Sequence, residues 1–222
     1  MAANIGVQHI KYFQDKIMEW WKQYGRNFPW REEFLSEYEL IIAEILLQRT
    51  KAETIANYYM FFLNSYPGWE SLAAANENDL ATLLRPIGLY NQRAKRIFAL
   101  AKSMEQRDFI IPQDRESIDK IPFMGQYIAN AVELLILNRA KPLLDVNMAR
   151  VLERYFGPRQ KADIRYDPYL QSLAHDILKG VNAKEINWAI LDFAALICQS
   201  KKPKCSICSL SESCRYYKNN KI

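Results

Sequence analysis

Ile121-Pro122-Phe123-Met124-Gly125-Gln126-Tyr127-Ile128-Ala129-Asn130, followed further on by Leu143-Leu144-Asp145-Val146-Asn147, is the stretch on which the reading of this chain turns. Pro122 and Gly125 interrupt the pattern between an apolar approach (Ile118, Ile121) and a helical periodicity that resumes at Tyr127 and continues through Ala131, Leu134, Leu135 and Leu137. The expected local structure is a helix, a tight turn and a second helix. The first N–H groups of that second helix have no carbonyl partners within it, so they and the positive end of its dipole suit an anion such as a phosphate. Asp145 lies in a short apolar segment that opens at Pro142 and leads into another helix at Met148. One reading makes Asp145 or Asn147 the cap of that helix; the other gives the carboxylate a chemical task.

Around this centre the chain reads as helical throughout. Ile10, Phe13, Ile17, Trp20, Trp21 and Tyr24 recur at helical spacing, and Gly25 stands where a C-cap glycine would. Ser36 with Glu39 forms a capping box ahead of Leu40-Ile41-Ile42-Ala43-Glu44-Ile45-Leu46-Leu47. Glu44 is the lone acid in that run. Facing the core, it would have a carboxyl raised by desolvation and suited to proton donation; facing outward, it would be an ordinary solvated glutamate. Further helices are expected from Ile55 to Tyr66, from a cap at Asn76 and Asp79 through Leu84, and beyond the Pro86-Ile87-Gly88-Leu89 turn. Beyond Asp145 they are expected over Met148 to Phe156, Tyr169 to Leu178 and Ile186 to Cys198. No alternating strand pattern of any length occurs, so the fold class is all-α, with about ten helices on ordinary helix lengths.

The 222 residues, half of them hydrophobic, can form one domain or two small ones. Thirty basic against 25 acidic residues permit nucleic-acid binding without requiring it, but Lys201, Lys202, Lys204, Arg215, Lys218 and Lys221 concentrate the excess near one end. No apolar run approaches bilayer-spanning length, and Met1 to His9 lack the profile of an export signal, so the expected location is the cytoplasm or nucleoid, with no membrane partner. All four cysteines, Cys198, Cys205, Cys208 and Cys214, fall near that basic end, separated by six, two and five residues. Such clustering without an export signal favours metal ligation over disulfides, as structural zinc or as a [4Fe–4S] cluster. Zinc sites tend to show two close pairs, and here only Cys205 and Cys208 are close.

The central stretch resembles the helix-hairpin-helix DNA glycosylases of the endonuclease III and MutY-like branch. Their pattern is Leu-Pro-Gly-Val-Gly, a residue that sorts the subfamilies, Thr-Ala, and an aspartate some eighteen residues on. Pro122, Gly125, Tyr127, Ala129 and Asp145 fall on it, while Phe123 replaces the first glycine and Ile128 the threonine. Ala43-Glu44-Ile45-Leu46-Leu47-Gln48-Arg49-Thr50 is similar to the family motif whose glutamate faces the base pocket and whose following polar pair enters the gap left in the duplex. The six-two-five cysteine spacing is similar to the family's iron–sulfur loop, which implies a [4Fe–4S] cluster on Cys198, Cys205, Cys208 and Cys214. Phe28-Pro29-Trp30-Arg31 is similar to the segment that opens the barrel in adenine- and thymine-specific members.

The resemblance implies two helical domains. One is a six-helix barrel over 26–138 with its hairpin at 121–127; the other joins 1–25 to 139–222 and carries the iron–sulfur loop at 198–214. It further implies a role for Asp145 in stabilising positive charge on the sugar, with Glu44 and Tyr127 as the other catalytic positions. Gln48, Arg49, Phe123, Met124, Gly125 and Gln126 would meet the DNA. Relatives with lysine at position 127 form a Schiff base and cut the strand; tyrosine has no such amine, which implies a monofunctional enzyme. Tyr127 together with Glu44 most resembles the mismatch-specific thymine- and uracil-DNA glycosylases, and a monomer acting on double-stranded DNA with a mismatched or deaminated base is expected. Adenine removal, as in the MutY-like enzymes, is the alternative, although those carry serine at position 127 and a C-terminal domain, and this chain ends eight residues after Cys214. A non-catalytic iron–sulfur DNA-binding module is the alternative of another class.

Overall fold

The computed structural model describes residues 6–220. The first five residues of the stretch read for an export signal, and Lys221 of the basic end, lie outside them. Among the described residues twelve α-helices follow in order: α1 (Val7–Tyr24), α2 (Glu37–Leu47), α3 (Ala52–Ser65), α4 (Trp69–Ala73), α5 (Glu77–Leu84), α6 (Tyr90–Glu105), α7 (Arg115–Asp119), α8 (Gln126–Leu135), α9 (Val146–Phe156), α10 (Pro168–Asp176), α11 (Ala183–Leu196) and α12 (Arg215–Asn220). Among the described residues there is no strand, and the fold is all-α. None of these helices is long and apolar enough to cross a membrane.

The chain divides into two compact units, one formed by Asn27–Leu137 and the other by the segments up to Arg26 and from Asn138 onward. In the first unit α2 is the axis. Its capping box forms as the sequence predicts: Ser36 Oγ accepts from the Glu39 N–H at 3.2 Å, and Glu39 Oε2 accepts from the Ser36 N–H at 2.7 Å. Because α2 is apolar nearly all round it is buried nearly all round, and Ile42 and Leu46 meet Ile55, Tyr59 and Phe62 of α3 and Leu80 and Leu84 of α5 in one core. The hydroxyls that enter this core find carbonyls, Tyr58 at Leu83 and Tyr59 at Glu39. Burial pushes the Tyr58 phenol up to about 12.

In the second unit α1, α9, α10 and α11 surround a core of Phe13, Ile17, Leu152, Tyr155, Leu170, Ile190 and Phe193. Gly25 does follow α1, but not in the left-handed conformation of a C-cap glycine: its φ is −58°. Its lack of a side chain serves packing instead, since a Cβ there would stand 2.7 Å from the Trp21 indole nitrogen. That nitrogen donates at 3.0 Å to Asp192, which lies wholly inside and also accepts from the Arg26 N–H and Nε. One buried carboxylate thus fixes where α1 ends. Asp167, likewise inaccessible, caps α10 through the Leu170 N–H and gathers the Gln160 and Lys161 N–H groups on its other oxygen.

Candidate active site

The turn between α7 and α8 is the tight hairpin the sequence predicts. Arg115 of α7 holds it, donating 2.8 Å to Asn130 and 2.7 Å to the buried Glu133, both on α8. Gly125 is the N-cap of α8 and brings no side-chain oxygen to the helix start. Its φ is −61°, and a Cβ placed on it would meet nothing within 4 Å. The fold therefore makes no demand for glycine here; the open approach it leaves suits a group from outside the chain. Phe123 adopts the left-handed conformation, φ 65°, that its glycine counterpart would take without cost. Its exposed ring is offset by the Arg96 guanidinium 5.4 Å from the ring centre, which also sets a positive charge beside the turn. Gln126 and Tyr127 open α8 half-buried. Met124 corrects the sequence reading: its side chain is buried in the core and its N–H is spent on the Ile121 carbonyl, so neither is offered to DNA.

Glu44 lies on the buried side of α2, 5% exposed, on a narrow apolar recess that it shares with Leu40, Ile41, Ile128, Ala131, Val132, Leu135 and Ile136. The core-facing alternative is the one realised. Immediately after α2, Gln48 is half-buried and Arg49 is exposed with a left-handed φ of 59°. The sequence did not single out Arg93, whose buried guanidinium gathers the carbonyls that end α2: Ile45 and Leu46 at 3.1 Å and Gln48 at 2.6 Å.

Asp145 performs the capping that its position allows. Oδ1 accepts from the Asn147 and Met148 N–H groups at 2.9 and 2.8 Å, so the carboxylate is the N-cap of α9. Oδ2 accepts from the Asn147 side-chain amide at 2.6 Å and takes no part in the backbone cap. Asn147 Oδ1 in turn accepts from Arg150 Nη1 at 3.0 Å, while Arg150 Nε and Nη2 donate to the carbonyls of Cys198 and Ala194. A line of hydrogen bonds thus runs from the carboxylate to the end of α11. Burial pushes the Asp145 carboxyl above the usual aspartate range; the Met148 and Asn147 bonds and the Arg150 charge offset that only in part.

Cys198, Cys205, Cys208 and Cys214 carry no disulfide and line one cavity with Arg154, Ile197, Pro203 and Tyr216 among its other walls. Arg154 donates to Cys198 Sγ at 3.4 Å and to the Gln199 carbonyl at 2.7 Å, and its guanidinium lies 4.8 Å from the Tyr216 ring centre. Among the described residues no group of three or more His, Cys, Asp or Glu side chains converges closely enough to hold a single metal ion. Four thiols lining one cavity are the donor set that a [4Fe–4S] cluster would take. Burial, with the neighbouring thiols, pushes Cys208 up to about 11. Loading would therefore release protons and be favoured as pH rises. Lys201, Lys202, Lys204, Arg215 and Lys218 are all exposed around this loop.

Comparison with known proteins places this arrangement. Residues 42–178, more than half the chain, match the model of the HhH-GPD superfamily base excision DNA repair proteins. The chain belongs to that superfamily. It is 38% identical over 216 residues to a thymine-DNA glycosylase of Aeropyrum pernix, covering 95% of this chain and 96% of that protein. It is 34% identical to a thymine/uracil-DNA glycosylase of Pyrobaculum aerophilum, covering 96% and 94% respectively. Among solved structures, a thermostable thymine-DNA glycosylase superimposes with a TM-score of 0.87 at 32% identity, over 96% of this chain and 98% of that one.

Proposed function

We propose that this protein is a monofunctional DNA glycosylase that hydrolyses the bond between C1′ and a thymine or uracil opposite guanine in double-stranded DNA, leaving an abasic site. The observation that carries the reading is the near full-length likeness to thymine- and thymine/uracil-DNA glycosylases. A stacked base is out of reach of any side chain, so the nucleotide must rotate out of the duplex, at a cost of a few kcal/mol that is lowest for a mispair. Breaking the C1′–N bond builds positive charge on the sugar, and Asp145 is assigned to stabilise it and orient the attacking water. Its Oδ1 is fixed by the α9 cap, which aims the carboxylate, and Oδ2, with only the Asn147 amide bonded to it, is the oxygen assigned to the reaction. Water gives its hydroxyl to C1′ and a proton to the departing base. Glu44, the buried carboxyl of the first unit, is also assigned a catalytic role.

Gln48 and Arg49 are assigned to the gap that the rotated base leaves, and Phe123, Gly125 and Gln126 to the backbone beside it. Cys198, Cys205, Cys208 and Cys214 are assigned to a [4Fe–4S] cluster that, when bound, fixes the loop structurally and presents Lys201, Lys202 and Lys204 to phosphates. On this reading iron analysis of the purified protein returns about four irons per chain. The direct test is to incubate the protein with duplexes carrying T, U or A opposite G and then treat them with alkali to reveal abasic sites. Cleavage at T and U supports the proposal; cleavage at A alone, or at none, refutes it.

The subtype has its own test. Tyr127→Lys places an amine where strand-cutting relatives carry one, and is expected to yield a borohydride-trapped protein–DNA adduct that the parent does not form. Absence of any adduct from a folded, DNA-binding variant would count against the assignment of position 127.

A further inference from the structure

Two exposed turns of the first unit hold non-glycine residues in the left-handed conformation next to a shared buried cation. Arg49, φ 59°, follows α2; Leu89, φ 53° and 48% exposed, precedes α6. Each such residue is strained relative to ordinary backbone, so each needs something to hold it. Arg93 bonds the carbonyl immediately before each one: Nη2 donates to Gln48 O at 2.6 Å, and Nε to Gly88 O at 3.0 Å. The remaining donors reach Ile45 O, Leu46 O and the Thr50 hydroxyl. Those carbonyls belong to the C-terminal end of α2, the negative pole of its dipole, where a cation is favoured. Only a planar fork with five donors can serve five acceptors on two separate turns; an ammonium has three and no fixed plane.

We infer that Arg93 is a positioning residue that locks the Gln48–Arg49 turn and the Gly88–Leu89 turn into one rigid piece, so that both tips meet the duplex together as the base is rotated out. The inference rests on the proposed glycosylase reading for its setting, but its measurable step is base rotation rather than bond breakage. Without the clamp, each turn relaxes independently and the gap in the duplex is filled late or not at all.

The test uses the full chain and its Arg93→Lys and Thr50→Val variants, each studied where thermal unfolding shows it folded. Base rotation is read by stopped-flow fluorescence of 2-aminopurine beside a G·T mismatch. Excision is read in single turnovers on uracil opposite guanine and on uracil opposite a tetrahydrofuran abasic analogue, where no pairing resists rotation. For Arg93→Lys the fluorescence change slows about 10-fold or more and excision at G·U falls by the same factor, while excision opposite the analogue changes less than about 3-fold. Thr50→Val removes one acceptor and leaves Arg93 in place, so it shows the same pattern at about 2- to 3-fold; it carries the test if Arg93→Lys does not fold. Equal loss on both uracil substrates, or an unchanged fluorescence step, overturns the clamp. A parent that rotates the base but excises nothing defeats the glycosylase reading and leaves the clamp to be judged on fluorescence alone. A parent that rotates no base overturns both.

Discussion

Asp145 and Asp167 have the same side chain, the same job as helix N-cap and the same unit of the fold, yet their surroundings drive them in opposite directions. Asp167 is wholly inside; burial alone would raise its carboxyl, but the N–H groups of Leu170, Lys161 and Gln160 and the nearby Arg159 charge hold it below the usual aspartate range. Both of its oxygens are used to gather backbone. Asp145 is only half-buried, and burial wins: its carboxyl is raised, with one oxygen in the cap and the other bonded only to the amide of Asn147. A carboxylate saturated with backbone donors is a structural part. One in partly dry surroundings, with an oxygen outside the cap, can act on a substrate cation when ionised.

The largest effect on folding is expected at Asp167. Asp167→Ala strands three backbone N–H groups and should cost about 3 kcal/mol or more of stability, read in urea unfolding, with the excision rate of the folded fraction unchanged. A stable variant would erase the contrast between the two aspartates. Next is Arg150→Leu, which releases Asn147 Oδ1 and the Cys198 and Ala194 carbonyls. The amide that holds Asp145 Oδ2 is then free to turn, and single-turnover excision should fall about 10-fold with DNA affinity little changed; an unchanged rate would show that the hydrogen-bonded line from Asp145 to α11 is not needed for alignment.

The smallest effect is the pH dependence of stability, and its sign differs between the two sites. Asp167 has a lowered folded value, so its contribution is present above the unfolded aspartate range and is lost as pH falls through the folded value. Asp145 has a raised folded value, so its favourable contribution is present below the unfolded value and disappears as pH rises through the folded one. On acidification, then, the stability gap between parent and Asp167→Ala should narrow, while parent should gain relative to Asp145→Asn. Parallel trends would remove the distinction.

The features legible in the sequence are those written in short spacings. The capping box at Ser36 and Glu39, the hairpin between Pro122 and Gly125 and the cysteine interval each depend on residues a few places apart, and the helices around them form where periodicity puts them. Arg93 is not legible there because its acceptors at the end of α2 and in the turn after it lie 43 to 48 residues away in the chain. Met124 misled because the motif places it in the turn, whereas alternation across so tight a bend sends its side chain inward between two exposed neighbours. At Phe123 the residue type departs from the pattern while the backbone does not, since the left-handed conformation is imposed by the turn and its cost is offset by Arg96 against the ring. Asp145 satisfied both of the readings open to it, because a carboxylate has two oxygens and the cap uses one.

Asp145→Asn separates the catalytic from the capping role of this carboxylate, because asparagine caps a helix about as well as aspartate while carrying no charge. Single-turnover excision at G·T and thermal unfolding should be measured on the same preparation. The rate is expected to fall at least about 100-fold below the parent, with mismatch binding retained and an unfolding midpoint unchanged or slightly raised at neutral pH. Near-parental excision by the folded variant would contradict the catalytic role.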